Sequence, residues 1–464
     1  MSTKGLMIAG TQSGVGKTTI TAGLCAAWRR RGQIVQPFKA GPDYIDPGYH
    51  RLAASRACRN LDSWMMSRSQ VERLFRDSLA DVDIAVVEGV MGLFDGLDYH
   101  SETASTAQLS KWLGLPIIVV LDANKQARSA AAVARGFQTF DPDLNIAGFV
   151  VNRVGSDSHG QGVAHAIEQA TRLPVFGWLP RLEQLTMGER HLGLIPVAES
   201  AGWKQFIEQA AEACERFFDM DRLWDAAATL ESASNEGLAR GAASRDEDVV
   251  IAVARDEAFH FLYDENVEQL ERVGARVVFF SPLHDSRLPA GTKGVILCGG
   301  FPELYAEDLA ANQAMHAALR SAHQRRLPIY AECGGLMYLA EWLVDQQGRK
   351  HAGVGLIPGT ATMTKRLTLG YRIARPIGDT WLGTDDEVRG HEFHYGNWSA
   401  GAQAVAAAYE LVDPKGKVAS RLEGACSGNL VASFVHLHFG ANPHVVERFV
   451  SAARGAAAVA GDNL

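Results

Sequence analysis

Short apolar runs, each followed by an amphipathic stretch, recur along the first part of the chain: "GLMIAG", "QIVQPFKAG", "DIAVVEG", "LPIIVVLDA", "IAGFVVNRV" and "PVFGWLP". Runs with no polar alternation suit strands buried on both faces, and their alternation with helices is the pattern of parallel strands joined by crossovers. A doubly wound α/β sheet is the architecture this predicts. The first helix is written out in "TTITAGLCAAWRRRG". It has threonine at its start, apolar residues at helical spacing, arginines that complement the carboxyl end of the helix dipole, and Gly32 as a stop. The pattern resumes later in "VVIAVARD", "ARVVFFSP", "GVILCGG", "LPIYAECGG" and "NLVASFVHLHFG", which predicts a second α/β domain. Between the two halves, "DAAATLESASNEGLARGAASRDED" has no buried-strand pattern and reads as a linker. The expected organisation is residues 1–230, a linker at 231–248, residues 249–452 and a frayed tail at 453–464.

A chain of 464 residues is too long for one core. Its 47% hydrophobic and 21% charged content is that of an ordinary globular protein. A net charge of −8 argues against nucleic acid as a partner, because phosphate neutralisation needs clustered Lys and Arg. The six cysteines include no C-x-x-C pair, so neither a zinc site nor a disulfide framework is expected, and a reducing compartment fits. No apolar run approaches the roughly 20 residues that cross a bilayer, and the start lacks a secretory pattern. The expectation is a cytoplasmic protein with no membrane partner, and a homodimer by default.

"GTQSGVGKTT" follows the first apolar run and opens the first helix. Backbone N–H groups at Gly14 and Gly16, the helix dipole and Lys17 make an anion trap, and the Thr18 hydroxyl can reach a divalent cation. Between Gly10 and Gly16 lies one residue more than in the usual phosphate-binding loop. That spacing resembles the loop of dethiobiotin synthetase and its relatives, which phosphorylate a carboxylate.

Ligands of open α/β sheets bind beyond the carboxyl ends of the strands. Acidic residues fall there in "FKAGPDYIDPGYH", with Asp43 and Asp46, and in "VVEGVMGLFDG", with Glu88 and Asp95. Lys39 is a candidate for neutralising a substrate carboxylate, against the alternative of a surface lysine. Asn152, at the end of "IAGFVVN", offers the donor and acceptor an adenine needs, against the alternative of a turn residue.

In the second half, "LPIYAECGGLMYLAEWL" reads as strand, tight turn and helix, with Cys333 at the turn and Gly334 after it. This is the pattern of a nucleophile elbow, whose helix would stabilise a thiolate. Cys298 and Cys25 lie in apolar runs and read as core. A thiol nucleophile needs a base. "ASFVHLHFG" supplies His436 and His438, which share a face if the segment is one strand, so spacing leaves both open. The "CGGFPELY" turn offers N–H groups near Gly300 and Phe301, together with Gly334, for a tetrahedral oxyanion.

Six segments in order, "GTQSGVGKTT", "FKAGPDYIDP", "VVEGVMGLFDG", "GGFPELY", "YAECGGLMYL" and "SFVHLHF", resemble the cobyrinate or hydrogenobyrinate a,c-diamide synthases, over roughly residues 5–452. The resemblance implies a dethiobiotin-synthetase-like P-loop amidoligase domain followed by a flavodoxin-like class I glutamine amidotransferase domain of the cobyric-acid-synthase type. It implies Cys333 as nucleophile and His436 as its base. The Pro-Glu that completes the triad in other class I enzymes is replaced by Leu437 and His438. It further implies ATP held by Gly14, Gly16, Lys17, Thr18, Thr19 and Asn152, and Mg²⁺ held by Thr18, Asp46 and Glu88. The corrinoid would lie among Tyr44, Ile45, Asp46, Glu88 and Asp95. The implied reaction forms an acyl phosphate on a corrinoid acetate group and displaces phosphate with ammonia from glutamine. Sister amidases, cobyric acid synthase or the nickel-sirohydrochlorin enzyme, share this architecture. A ParA-like ATPase accounts for the first half but not for the Cys333 turn, and a regulator with a dead amidotransferase domain would not need Cys333 and His436 together.

Overall fold

The computed structural model describes residues 2–182, 185, 189–190, 193–194, 202–230, 249–416 and 418–456. The expected linker 231–248 and residues 457–464 of the expected tail lie outside these. The last helix, Pro443–Gly455, keeps Ala453 fully buried, so packed structure continues beyond residue 452. The chain divides into two compact units, Met1–Ala239 and Arg240–Leu464.

In the first unit the apolar runs become β1 (Thr3–Gly10), β2 (Val35–Ala40), β3 (Arg59–Leu61), β4 (Ile84–Glu88), β5 (Ile117–Asp122), β6 (Ile146–Val154) and β7 (Val175–Pro180). They form one parallel sheet in the order β3-β2-β4-β1-β5-β6-β7, with the short strand Ala228–Leu230 added antiparallel to β1. β1, β4 and β5 are central and almost wholly buried, which is why they carry no polar alternation. The chain moves outward to β2 and β3 and returns to β4 beside β1. The carboxyl ends of β1, β2 and β4 are therefore neighbours. Their register sets Ile8 opposite Glu88 and Lys39 opposite Glu88.

The second unit has a parallel core, in the order Arg276–Phe280, Val250–Ala254, Thr292–Leu297, Ile329–Glu332 and Leu430–Ser433, with Ala425–Ser427 antiparallel at one edge. A second, mostly antiparallel sheet was not anticipated from the sequence. It runs Lys350–Ala352, Ala340–Val344, Ile357–Pro376, Val388–Ser399 and His436–Leu437, with Tyr409–Val412 and Arg421–Glu423 attached. The long strand Ile357–Pro376 has many exposed positions, Thr364, Lys365, Arg366, Leu367 and Leu369 among them, so it lacks the apolar run that marks a central parallel strand. Two local expectations are corrected by this sheet. The helix after Cys333 covers only Gly334–Leu339, and "AEWLV" then becomes a strand. "NLVASFVHLHFG" is not one strand, because Leu430–Ser433 belongs to the core sheet and His436–Leu437 to the second sheet.

Candidate active site

The phosphate loop of the first unit is shaped by backbone that only glycine tolerates. Gly14 and Gly16 lie in the left-handed region, at φ 75° and 98°. A Cβ at Gly16 would stand 2.3 Å from Asn152 Nδ2. The helix that follows, α1 (Lys17–Arg30), has no side-chain cap and no acidic residue in its first turn, so its leading N–H groups face no competing anion from their own turn. Asn152 donates from Nδ2 to the Val15 carbonyl at 2.7 Å, and its Oδ1 accepts from Arg153 N–H. Both ends of the amide are engaged, which makes Asn152 a brace for the loop in this structure. Lys17 is nearly buried and donates to the carbonyls of Met91 (2.6 Å) and Gln12 (3.3 Å). Burial pulls its pKa below the ordinary lysine value.

Next to this loop the strand ends bring a charged cluster together. Thr18 donates from Oγ1 to Glu88 Oε1 at 2.9 Å and lies 3.3 Å from Asp46 Oδ2. Lys39 Nζ sits 2.5 Å from Asp46 Oδ2, 3.0 Å from Glu88 Oε1 and 3.7 Å from Asp43 Oδ2. Lys39 is 3% exposed, which overturns the surface-lysine alternative. Its partners hold it protonated, above the usual lysine range despite the burial that opposes charge. Burial likewise opposes ionisation of Glu88, but Lys39, His50 and Lys17 hold its carboxyl well below the usual carboxylate range. Asp46 is pushed up to about 7 by burial and by the neighbouring Asp43. Asp43 also accepts the N–H groups of Ile45 and Asp46, fixing the turn that starts the helix Asp46–Ala54.

His50, fully buried, bonds through Nε2 to Glu88 Oε2. It was not singled out from the sequence, although its i,i+4 spacing from Asp46 places both on one helix face. Ile45 is buried, whereas Tyr44 is half-exposed. Asp95 is exposed and accepts from the Gly92 N–H at 2.8 Å, so it shapes the loop after β4 and stands outside the Lys39 cluster. Among the described residues no three or more His, Cys, Asp or Glu side chains are grouped to hold a metal ion. Thr18, Asp46 and Glu88 nevertheless present converging hard oxygen donors, the chemistry Mg²⁺ takes when phosphates complete its shell.

In the second unit Cys333 stands at the end of the strand Ile329–Glu332 with φ 48° and ψ −101°. Such a conformation is costly for a non-glycine residue and is characteristic of elbows that present a nucleophile. Its N–H bonds the Ser433 carbonyl at 2.7 Å, tying the elbow to the neighbouring strand. Burial pushes the Cys333 thiol up, contrary to the expected helix-stabilised thiolate, so it needs a base. The glycines after it are required by close approach. A Cβ at Gly334 would meet Gly300 N at 3.1 Å, and one at Gly335 would meet the Leu297 carbonyl at 2.3 Å.

The two candidate histidines part company. His436 is packed on Gly299, where a Cβ would stand 2.7 Å from its Cε1, and its Nδ1 is 3.8 Å from Glu332 Oε2. His391 stacks on it with ring centroids 5.2 Å apart. His438 lies instead 3.9 Å from Glu265 Oε2 and against Tyr263. The geometry thus separates residues that strand alternation had grouped. Phe301 is corrected as an oxyanion donor, because its N–H bonds the Ala258 carbonyl at 3.0 Å. Gly300 and Gly334 remain adjacent beside the elbow. Cys298 and Cys25 are buried core residues, and all six cysteines are unpaired.

Residues 6–195 match the CobQ/CobB/MinD/ParA nucleotide binding domain family, and residues 250–444 match the CobB/CobQ-like glutamine amidotransferase domain family. The class is therefore a nucleotide-binding domain joined to a glutamine amidotransferase domain. Curated relatives match over nearly their whole length. The cobyrinate a,c-diamide synthase of Salmonella typhimurium is 44% identical over 97% of this chain and 98% of its own. Those of Dehalococcoides mccartyi (41%; 97% and 98%) and Syntrophotalea carbinolica (42%; 98% and 100%) are similar. The chain belongs to the cobyrinate a,c-diamide synthase family.

Proposed function

We propose that this chain catalyses the ATP- and glutamine-dependent amidation of the a- and c-acetate carboxylates of cobyrinate, in cobalamin biosynthesis. The observation that carries the reading is the presence, in one chain, of two sets of side chains suited to its two halves. One is the Lys17–Thr18–Lys39–Asp46–Glu88 cluster, and the other is the strained Cys333 elbow, with His436 3.8 Å from the carboxylate of the preceding residue, Glu332.

At the elbow, Cys333 attacks the side-chain amide carbon of glutamine as His436 takes its proton. The sulfur–carbon bond forms, and the tetrahedral oxyanion is held by N–H groups of the Gly300–Gly334 corner. The carbon–nitrogen bond breaks, the proton passes from His436 to the leaving nitrogen, and ammonia departs. Water then hydrolyses the thioester to glutamate.

In the first unit, Lys17 and the leading N–H groups of α1 bind the ATP phosphates. Mg²⁺, held by Thr18, Asp46 and Glu88, supplies charge neutralisation between the phosphates when bound. Lys39 is the cation that would pair with an incoming carboxylate. The acetate oxygen attacks the γ-phosphorus, ADP leaves, and the acyl phosphate is an electrophile that the carboxylate was not. Ammonia attacks its carbonyl carbon and phosphate leaves.

The test is incubation with ATP, Mg²⁺, glutamine and either cobyrinic or hydrogenobyrinic acid, followed by mass spectrometry. Two OH-to-NH₂ exchanges on cobyrinic acid are expected. In Cys333→Ala, glutamine is no longer used while free ammonia still is. No mass change on either macrocycle would remove the substrate assignment.

A further inference from the structure

The carboxylate that completes an amidotransferase triad is absent from its usual place two residues after His436, where His438 stands and pairs with Glu265 instead. We propose that Glu332, the residue immediately before the nucleophile, takes over that role as the positioning residue of His436. The inference rests on Cys333 and His436 acting as nucleophile and base.

Three features carry it. Glu332 is 3% exposed, so its carboxylate is kept out of water and would be retained there only for its partners. One oxygen is already satisfied, since Oε1 accepts from Leu437 N–H at 2.9 Å and from Tyr330 O–H at 2.7 Å. The other, Oε2, is the oxygen 3.8 Å from His436 Nδ1. The bond to Leu437 pins the backbone next to the base, while the strand pairing of Glu332 with Ser433 and the Cys333 N–H bond to Ser433 pin the nucleophile to the same strand end.

A separation of 3.8 Å is an ion-pair distance rather than a hydrogen bond. It fits a carboxylate that acts when His436 becomes imidazolium. As Cys333 loses its proton to Nε2, the new positive charge on the ring faces Oε2, and the proton already on Nδ1 stays there. The geometry also explains why Glu332 can stand before the cysteine rather than after the histidine. Ile329–Glu332 and Leu430–Ser433 are adjacent parallel strands, so the last residue of one reaches the segment leaving the other. His391, stacked on the His436 ring, is held neutral by burial and by the neighbouring His436, and so adds no positive charge beside the base.

Glu332→Gln keeps the shape and the acceptor for Leu437 but removes the charge. In the full-length protein its glutaminase kcat should fall by about 100-fold, with KM for glutamine within about threefold and the melting temperature unchanged, as for loss of support to a general base. Glu332→Asp, which restores the charge, should recover part of kcat. A Gln variant retaining kcat within threefold of wild type overturns the inference. So does one in which KM, kcat and melting temperature deteriorate together, because that is the signature of a strut. If Cys333→Ala itself keeps glutaminase activity, the underlying reading of the site fails and not this refinement alone.

Discussion

Lys39 is the one cation packed between Asp46 and Glu88 among the described contacts of that cluster, which makes Lys39→Met a direct perturbation of its electrostatics. At an effective dielectric of about 20, unit charges at the 3.0 Å separation from Glu88 attract by roughly 5–6 kcal/mol before desolvation is counted. Removing one partner of a buried pair leaves the other uncompensated, at a net cost of about 3–5 kcal/mol. For a unit of this size that lowers the melting temperature by roughly 6–20 °C.

The pH dependence has a definite sign. Asp46 titrates at about 7 in the folded protein, above its unfolded value, so its contribution to stability is complete in acid and is lost as pH rises through 7. Without Lys39 the carboxyl is raised further, and the proton it takes up in acid replaces the lost cation. The deficit of the variant should therefore be greatest at pH 8 and fall by at least half at pH 5.5. Millimolar Mg²⁺ should also reduce it at pH 8, since the same oxygens would accept the metal. Thermal and urea unfolding at the two pH values, with and without Mg²⁺, read this out. Equal melting temperatures for variant and wild type at pH 8 would refute the reasoning, because a buried cation cannot be deleted there without cost.

Other consequences follow from the same unit. Gly16→Ala places a methyl group 2.3 Å from Asn152 Nδ2 at a left-handed backbone position, so ATP binding should weaken at least about tenfold, as measured by calorimetry; unchanged affinity would mean the loop is not the nucleotide site. Because Asp46 must be ionised to hold Mg²⁺, affinity for Mg²⁺ should fall by about tenfold per pH unit below 7 and level off above it; a flat titration between pH 6 and 8 would exclude Asp46 from the metal site.

Much of this was legible in the residues because the governing physics is local or periodic. Continuous apolar runs marked the central strands of both parallel sheets, since such strands lose water on both faces. The glycines of the phosphate loop and of the Cys333 turn carried their own backbone reasons, visible as spacing before any fold was known. What spacing could not carry was contact between distant segments. Lys39 could be read as a surface lysine until the parallel register of β2 and β4 set it opposite Glu88. Strand alternation grouped His436 with His438, but the chain changes sheets after Ser433 and sends them to different carboxylates. Phe301 N–H was an open donor on paper and is spent on Ala258 in the fold. The second sheet escaped notice because its longest strand, Ile357–Pro376, is mostly exposed or half-exposed and so leaves no apolar run. The sequence by itself therefore determined the two parallel sheets and the loops at their strand ends, through burial and backbone sterics. Only tertiary structure decided which histidine, lysine and carboxylates meet, because charges pair through space and not along the chain.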